Sequence, residues 1–408
     1  MRIGFLTPEF VTEPNFAGGL AQYLNRVTSG LAQRGHDVEV FVAADTEETI
    51  DHHGVRVHRT RPRKLMRLRL VNLSLGIADR QRLTKLQLAC STARGLNGAF
   101  CRRASVEQFD IVQAASWLGT AYFAAKNPWT PVVVRASSFE DLLFPHRGQE
   151  MSLDQKMYNR FETAAMRRSA AVYAPSRYLA GEIQKATGIS SHVLNPPYLS
   201  RNGLTSEGRH TSLGEWRDFA VYFGKVAKYK GAGLLADALE PVLADGRGIR
   251  LAIAGPVEND SASKKLLNLV EMYPDSVRYL GCLRHEALMS VVKDAKIVVL
   301  PSLMDNLPNT CLEAMAMRKV VVGPAGVSFD ELITDGESGI LFRMGDSVSL
   351  RHAILQGWDL SDERRRAMGD AAETRIRCMA PATTLQELEL FYADVIDDAK
   401  RRKRVQRM

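Results

Sequence analysis

Two α/β domains, each a doubly wound parallel sheet, are predicted by three observations. Short apolar runs alternate with helix-period segments along most of the chain. The alternation stops at Asn195–Trp216, "NPPYLSRNGLTSEGRHTSLGEW", a stretch of Pro, Gly, Ser and charge that reads as a linker, and then starts again. The length of 408 residues also suits two domains. The predicted boundaries are 1–200 for the first domain and 217–383 for the second. Residues 384–408 form a C-terminal helix that packs back on the first domain, followed by a basic tail.

Each element has its own local reason. Ile3–Leu6 is an apolar run ending in "TPEF", followed by a loop with Gly18-Gly19. From Leu20 the spacing puts Leu20, Tyr23, Leu24, Val27 and Leu31 on one helical face, and Gly35 stops the helix. "HDVEVFVAA" follows as a buried strand, so the unit is β-loop-α-β with parallel neighbours. Strands are also predicted at "IVQAA", "PVVVRAS", "AAVYAPS" and "HVLNPP". After the linker, "FAVYFG", "IRLAIAG", "VRYLG", "KIVVLPS", "KVVVGPAG" and "SGILF" read as strands with helices between them. The last helix, about Thr384–Lys400 after a break at Pro381, carries the stripe Leu385, Leu388, Leu390, Phe391 and Val395. Two facing domains of this type bind ligands at the C-terminal ends of their strands, which places the expected site in the cleft between them.

Composition excludes several classes. With 45% hydrophobic and 25% charged residues the chain is an ordinary globular one. Its five cysteines show neither a CxxC nor a paired spacing, so no disulfide framework or zinc site is expected. "MRIGFLTPEF" lacks the apolar core of a secretory signal, and no apolar run spans a bilayer, so a cytoplasmic location is expected. The net charge of +8 is concentrated in "RVHRTRPRKLMRLR" (Arg56–Arg69) and "KRRKRVQR" (from Lys400). Such patches suit anionic lipid head groups or nucleic acid; the plainer alternative is a solvated loop and a frayed tail.

The chemistry concentrates around "DNLPNTCLEAMAMR". The turn leads from a strand into a helix N-terminus, whose free amides and positive end favour phosphate. Asp305 before that helix and Glu313 within it offer acceptors on either side of a phosphate. That arrangement matches a sugar nucleotide, with a sugar on one side and a ribose on the other. The plainer alternative is a capped helix, with Asn309 or Thr310 as N-cap and Glu313 near the capping-box position. In "YFGKVAKYKGAGLL", Lys225 and Lys230 follow a strand end and are placed to neutralise a diphosphate; the alternative is a solvated loop. Gly18-Gly19 lets backbone approach a ligand closely. NAD binding is rejected, because "GAGLLA" starts well after its strand and the next strand ends without an acid. There is no P-loop, HExxH, Asp-x-Asp or GxSxG.

These residues carry a resemblance. "GG" at Gly18-Gly19, "GKVAKYKG" and "PSLMDNLPNTCLEAMAMRKVVV" resemble, in order and spacing, the motifs of the retaining GT-B glycosyltransferases of family GT4, the group 1 glycosyltransferases. The resemblance covers nearly the whole chain. It implies a GT-B fold, two Rossmann-like domains facing across a cleft. It also implies transfer of a sugar, with retention and without a metal or other cofactor, from a UDP- or GDP-sugar to an acceptor hydroxyl. On this chain the implied catalytic residues are Lys225, Lys230 and Asp305. The implied donor-binding residues are Gly18, Gly19, Lys225, Lys230, Asp305, Asn306, Leu307, Pro308, Asn309, Thr310 and Glu313. Asp305 stands where the family has Glu, and Lys225 where it usually has Arg, a point charge in place of a bidentate fork. "DIVQAAS" has Gln113 and Ala115 where many members have His, so the acceptor side is assigned to Gln113, Ser116, Arg135, Ser137 and Ser138.

The expected partners are a nucleotide-sugar donor and a glycan, lipid-linked or small-molecule acceptor, with Arg56–Arg69 facing an anionic membrane and no specific nucleic acid. The rival readings are a sugar-nucleotide epimerase on the same fold, which would need an acid/base pair facing the sugar, and a non-catalytic scaffold, which damaged motifs would favour.

Overall fold

The computed structural model describes residues 1–14, 19–63, 83–137, 151–198, 213–214 and 216–407. The chain divides into two compact units, Met1–Pro197 with Pro381–Met408, and Tyr198–Ala380. Most of the predicted linker, Gly18, Ser138 and residues 64–69 of the basic stretch lie outside the described residues.

The first unit is built on strands β1 (Arg2–Thr7), β2 (Asp37–Ala43), β3 (Glu48–His52), β4 (Val55–Thr60), β5 (Ile111–Ala115), β6 (Val132–Arg135), β7 (Ala171–Ala174) and β8 (His192–Val193). Their order is β3-β4-β2-β1-β5-β6-β7-β8, parallel except for the β3–β4 hairpin. That hairpin lies in what reads as a basic patch. His53 and Gly54 both have positive φ, which a tight hairpin turn requires, and Val55 and Val57 point into the core between exposed or half-exposed neighbours. Helices α1 (Gly19–Gln33), α2 (Thr84–Ala104), α3 (Ala121–Ala124), α4 (Leu153–Arg168) and α5 (Arg177–Thr187) accompany these strands. Tyr23, Leu24, Val27 and Leu31 of α1 are buried as the spacing predicts, whereas Leu20 is only half-buried.

The sheet's α1 side is closed by the chain's last helix, Pro381–Arg407, which places Leu385, Leu388, Phe391 and Tyr392 in one cluster with Ile3, Phe5, Tyr23 and Tyr173. Two details correct the sequence expectation. Pro381 opens this helix instead of breaking before it, because the first turn needs no amide donor. Leu390 is 60% exposed, since it falls one position off the buried stripe, and Tyr392 takes its place.

Across the strands Glu39 is fully buried, yet it is one of the most heavily partnered groups in the unit. It accepts hydrogen bonds from Arg2, from Arg56 at 2.7 Å and from Arg103 at 3.0 Å, and pairs with His58 at 2.7 Å. Burial alone would push its carboxyl up. Bonds from His58, Arg2 and Arg103 outweigh that and hold it down at about 2.

The second unit has a six-stranded parallel sheet. Its strands are β9 (Ala220–Phe223), β10 (Leu251–Ala254), β11 (Val277–Tyr279), β12 (Ile297–Val299), β13 (Val321–Ala325) and β14 (Ile340–Arg343), in the order β11-β10-β9-β12-β13-β14. The order reverses between β9 and β12, so their C-terminal ends form the switch point where such sheets bind ligands. The helices are α6 (Ala232–Ala244), α7 (Ser261–Met272), α8 (His285–Asp294), α9 (Asn309–Ala316), α10 (Phe329–Leu332), α11 (Ser347–Trp358) and α12 (Asp362–Ile376). α13 is the Pro381–Arg407 helix of the first unit. Trp216, assigned to the linker by composition, is buried against Phe219 with Arg278 over its ring at 4.4 Å, so it belongs to the second unit.

Candidate active site

At the switch point of the second unit β9 runs into Gly224, at φ +114°. Tyr222 Oη donates to the carbonyl of Lys225 at 2.6 Å and pins the backbone there. Burial drives the Tyr222 phenol well above its ordinary value, so it stays a neutral donor. The chain then makes one 3₁₀ turn, Lys228–Lys230, closed by Gly231 at φ +78°. A Cβ on Gly231 would lie 1.9 Å from the Pro301 carbonyl oxygen, so this approach needs glycine. The Lys228 amide is held by Asp260 at 3.0 Å, and that carboxylate also caps α7 through the Ser263 amide.

That turn delivers Lys230 to Asp305, with Nζ 2.5 Å from Oδ2. The carbonyl of Asp305 accepts a 2.8 Å bond from the buried Ser328 hydroxyl, which fixes the backbone of the "DNLPNT" turn. Helix α9 then opens with Pro308 at the N-cap and no side-chain cap. This corrects the capped-helix alternative: Asn309 and Thr310 are the first two helical residues. Pro308 instead offers its carbonyl to the amides of Cys311 and Leu312 at 3.0 and 3.2 Å. The amides of Asn309 and Thr310 are left as first-turn donors without an intrahelical acceptor.

The pieces surround one cavity of about 200 Å³, lined by Gly224, Lys225, Lys230, Asp305, Leu307, Asn309 and Thr310, with Tyr222 and Ser302. Two cations, one carboxylate and a helix N-terminus thus meet in a space the size of a phosphate pair. Asn306, Pro308 and Glu313 do not line it. Glu313 is half-buried one turn further along α9. Sequence reasoning missed Glu258, whose carboxylate lies 3.6 Å from Lys225 Nζ. It follows β10 by four residues, and only the sheet order reveals that β10 lies beside β9. Cys311 is no nucleophile: burial, aided by the charge on Asp305, pushes its thiol far up.

In the first unit Ser116, Arg135 and Ser137 are brought together after β5 and β6. Ser137 N donates to Ser116 Oγ at 3.2 Å, and Arg135 Nη1 to Ser137 Oγ at 2.6 Å. Gln113 is corrected as a ligand-facing residue. Its Oε1 accepts from the hydroxyls of both Tyr173 and Tyr392, each at 2.5 Å, in the core beneath α13. Its position in mid-strand aims it at the packed layer rather than the strand end. Gly19 opens α1, and Gly18 lies outside the described residues.

The family "Glycosyl transferases group 1" matches residues 217–359, and the "Glycosyl transferase 4-like domain" matches residues 18–195. The chain belongs to the group 1, GT4-type glycosyltransferases. D-inositol 3-phosphate glycosyltransferase of Corynebacterium efficiens is 23% identical over 397 residues, 93% of this chain and 91% of that one. Alpha-D-kanosaminyltransferase of Streptomyces kanamyceticus is 26% identical over 220 residues, 52% of this chain and 57% of that one. Among solved structures, sucrose-phosphate synthase from Thermosynechococcus elongatus superposes with a TM-score of 0.75 at 16% identity, covering 98% of this chain and all of that one. Anabaena HepE in complex with UDP gives a TM-score of 0.70 at 18% identity, covering 97% of this chain and all of that one. The fold of this glycosyltransferase is therefore GT-B. Among the described residues no helix is long and apolar enough to cross a membrane.

Proposed function

We propose that this glycosyltransferase moves a sugar, with retention and without a metal, from a UDP- or GDP-sugar to an acceptor hydroxyl. The supporting observation is the convergence of Lys225, Lys230, Asp305 and the open α9 amides on one cavity at the β9/β12 switch point. As the anomeric C–O bond breaks, the electron pair passes to the β-phosphate oxygen. The two lysines and the helix end are placed to take that charge. The acceptor oxygen bonds to the anomeric carbon on the same face and passes its proton to the leaving phosphate. Asp305, freed from Lys230 by the phosphate, accepts hydrogen bonds from sugar hydroxyls. HepE, of the same fold, has been solved with UDP and with UDP-glucose, which supports the donor class.

The test is a melting-temperature screen against UDP, GDP, ADP and their sugars in EDTA, followed by product analysis. A saturating nucleoside diphosphate raises the melting temperature by linkage, and transfer persists in EDTA. Failure of every nucleotide to shift it sinks the proposal, and transfer only on adding Mg²⁺ or Mn²⁺ sinks its metal-free part. An epimerised donor formed without any acceptor would favour the epimerase reading.

Glu313 is assigned to the donor ribose. Glu313→Ala is expected to weaken UDP binding by about 1–3 kcal/mol, the worth of a charged hydrogen-bond acceptor. Unchanged UDP affinity in calorimetry of the folded variant contradicts that role.

The proposal extends to peripheral docking on anionic membranes at the cytoplasmic face through Arg56–Arg69. Arg56 and Arg59 are ion-paired to Glu39, Glu13 and Glu48, so the contact would rest on Arg61, Arg63 and the residues that follow. Wild-type chain that fails to sediment with anionic vesicles at low salt removes this part.

A further inference from the structure

Arg135, the last residue of β6, is a buried cation with no counter-ion among the described residues. It is 7% exposed, and no carboxylate among the described residues pairs with it. Its guanidinium lies 3.6 Å from the centre of the Tyr23 ring, and Nη1 donates to Ser137 Oγ. Its Nε is buried and meets no acceptor. Arg2 makes the contrast. It is equally buried, yet it is ion-paired with Asp37, Glu39 and Glu107.

An uncompensated buried charge is costly, and an arginine that cannot shed its proton cannot escape the cost by neutralising. The tyrosines nearby offer no negative charge: burial raises the phenols of Tyr173 and Tyr392 well above their ordinary range. Glu9, on the loop after β1, accepts from the Ala21 amide at 3.2 Å near the start of α1 and is not ion-paired with Arg135. The Ser137 hydroxyl meets the guanidinium and the Ser137 amide donates to the Ser116 hydroxyl, at the strand ends where this fold places ligands. A planar fork next to hydroxyls suits a phosphate or carboxylate.

We propose that Arg135, with Ser137, anchors an anionic group on the acceptor, which makes the acceptor a phosphorylated or carboxylated molecule. This rests on reading the first unit as the acceptor side. Arg135 is then a specificity-determining residue that keeps a charge the fold alone does not use.

The test uses the full chain with UDP held at saturation, so that the Lys225–Lys230 cavity is already filled. Melting temperatures are read with matched pairs: D-inositol 3-phosphate against inositol, and glucuronate against glucose. The charged member of at least one pair is expected to raise the melting temperature and its neutral twin not. A response to the inositol phosphate alone marks a phosphate, and a response to glucuronate as well marks anions in general. Arg135→Met should erase the discrimination, about tenfold or more in apparent affinity. The same variant should melt at or above the wild type without ligand, because the uncompensated charge is gone. Arg135→Lys should keep part of the response. Equal responses to charged and neutral twins, no response to any charged probe, or an Arg135→Met protein that melts lower and still discriminates would each overturn the inference. Absence of a UDP shift alongside normal anion discrimination would instead fault the donor reading alone.

Discussion

Replacing Lys230 by alanine is expected to cut turnover by about 100- to 1,000-fold, the usual effect of removing one preorganised donor to a developing charge. Binding of the intact sugar nucleotide should fall much less. In the proposed transfer, charge on the diphosphate oxygen grows as the bond breaks, so the lysine is expected to contribute more in the transition state than in the ground state. The structure adds a second component. Lys230 is paired with Asp305, whose side chain is only 13% exposed, and the variant leaves that carboxylate facing the phosphates alone. Lys230→Ala/Asp305→Asn should therefore lose less than the separate losses multiplied together. Steady-state kinetics of the single and double variants decide this. Equal loss in kcat and in donor affinity would make Lys230 a binding group only, and no loss would place it in solvent.

The largest expected effect on stability lies far from that cavity, at Glu39. Glu39→Gln should destabilise the first unit by about 3 kcal/mol, because it leaves Arg2 and Arg103 without their central counter-charge. The acid response follows the same logic. The folded carboxyl sits near 2, below its ordinary 4.5. Its contribution, about 3 kcal/mol, is fully present above pH 4.5 and is lost as pH falls through about 2. Urea midpoints measured from pH 7 down to pH 2.5 should therefore fall more steeply in the wild type than in Glu39→Gln. Parallel curves would show that the cluster does not hold its carboxylate ionised.

How much of this was legible beforehand depends on the kind of signal. Period and alternation located the α/β elements of both domains, because burial of a face imposes them directly. The β3–β4 hairpin was hidden because arginine and histidine alternate with its valines, and their charge dominated the reading. Glu39 was hidden for the complementary reason. A lone acid inside "HDVEVFVAA" looks like an outward-facing residue, and its four basic partners come from β1, β4 and α2. In the cavity at β9 and α9, the meeting of Lys225, Lys230 and Asp305 was legible because they sit at fixed offsets from strand ends and a helix start. Glu258 was not, since its approach to Lys225 depends on which strands are neighbours. Gln113 looked like a ligand-facing polar group because its true partners, Tyr173 and Tyr392, are 60 and 279 residues away.

Calorimetric titration with UDP and with uridine, on the wild type and on Lys225→Ala/Lys230→Ala, tests the central claim most directly. If the cavity at β9 and α9 receives a diphosphate, UDP binds the wild type at least about 100-fold more tightly than uridine, two charged contacts' worth. In the double variant that gap should shrink by about tenfold or more, while uridine binding stays as it was. A wild type that binds UDP no better than uridine, or a double variant that keeps the full gap, would contradict the account.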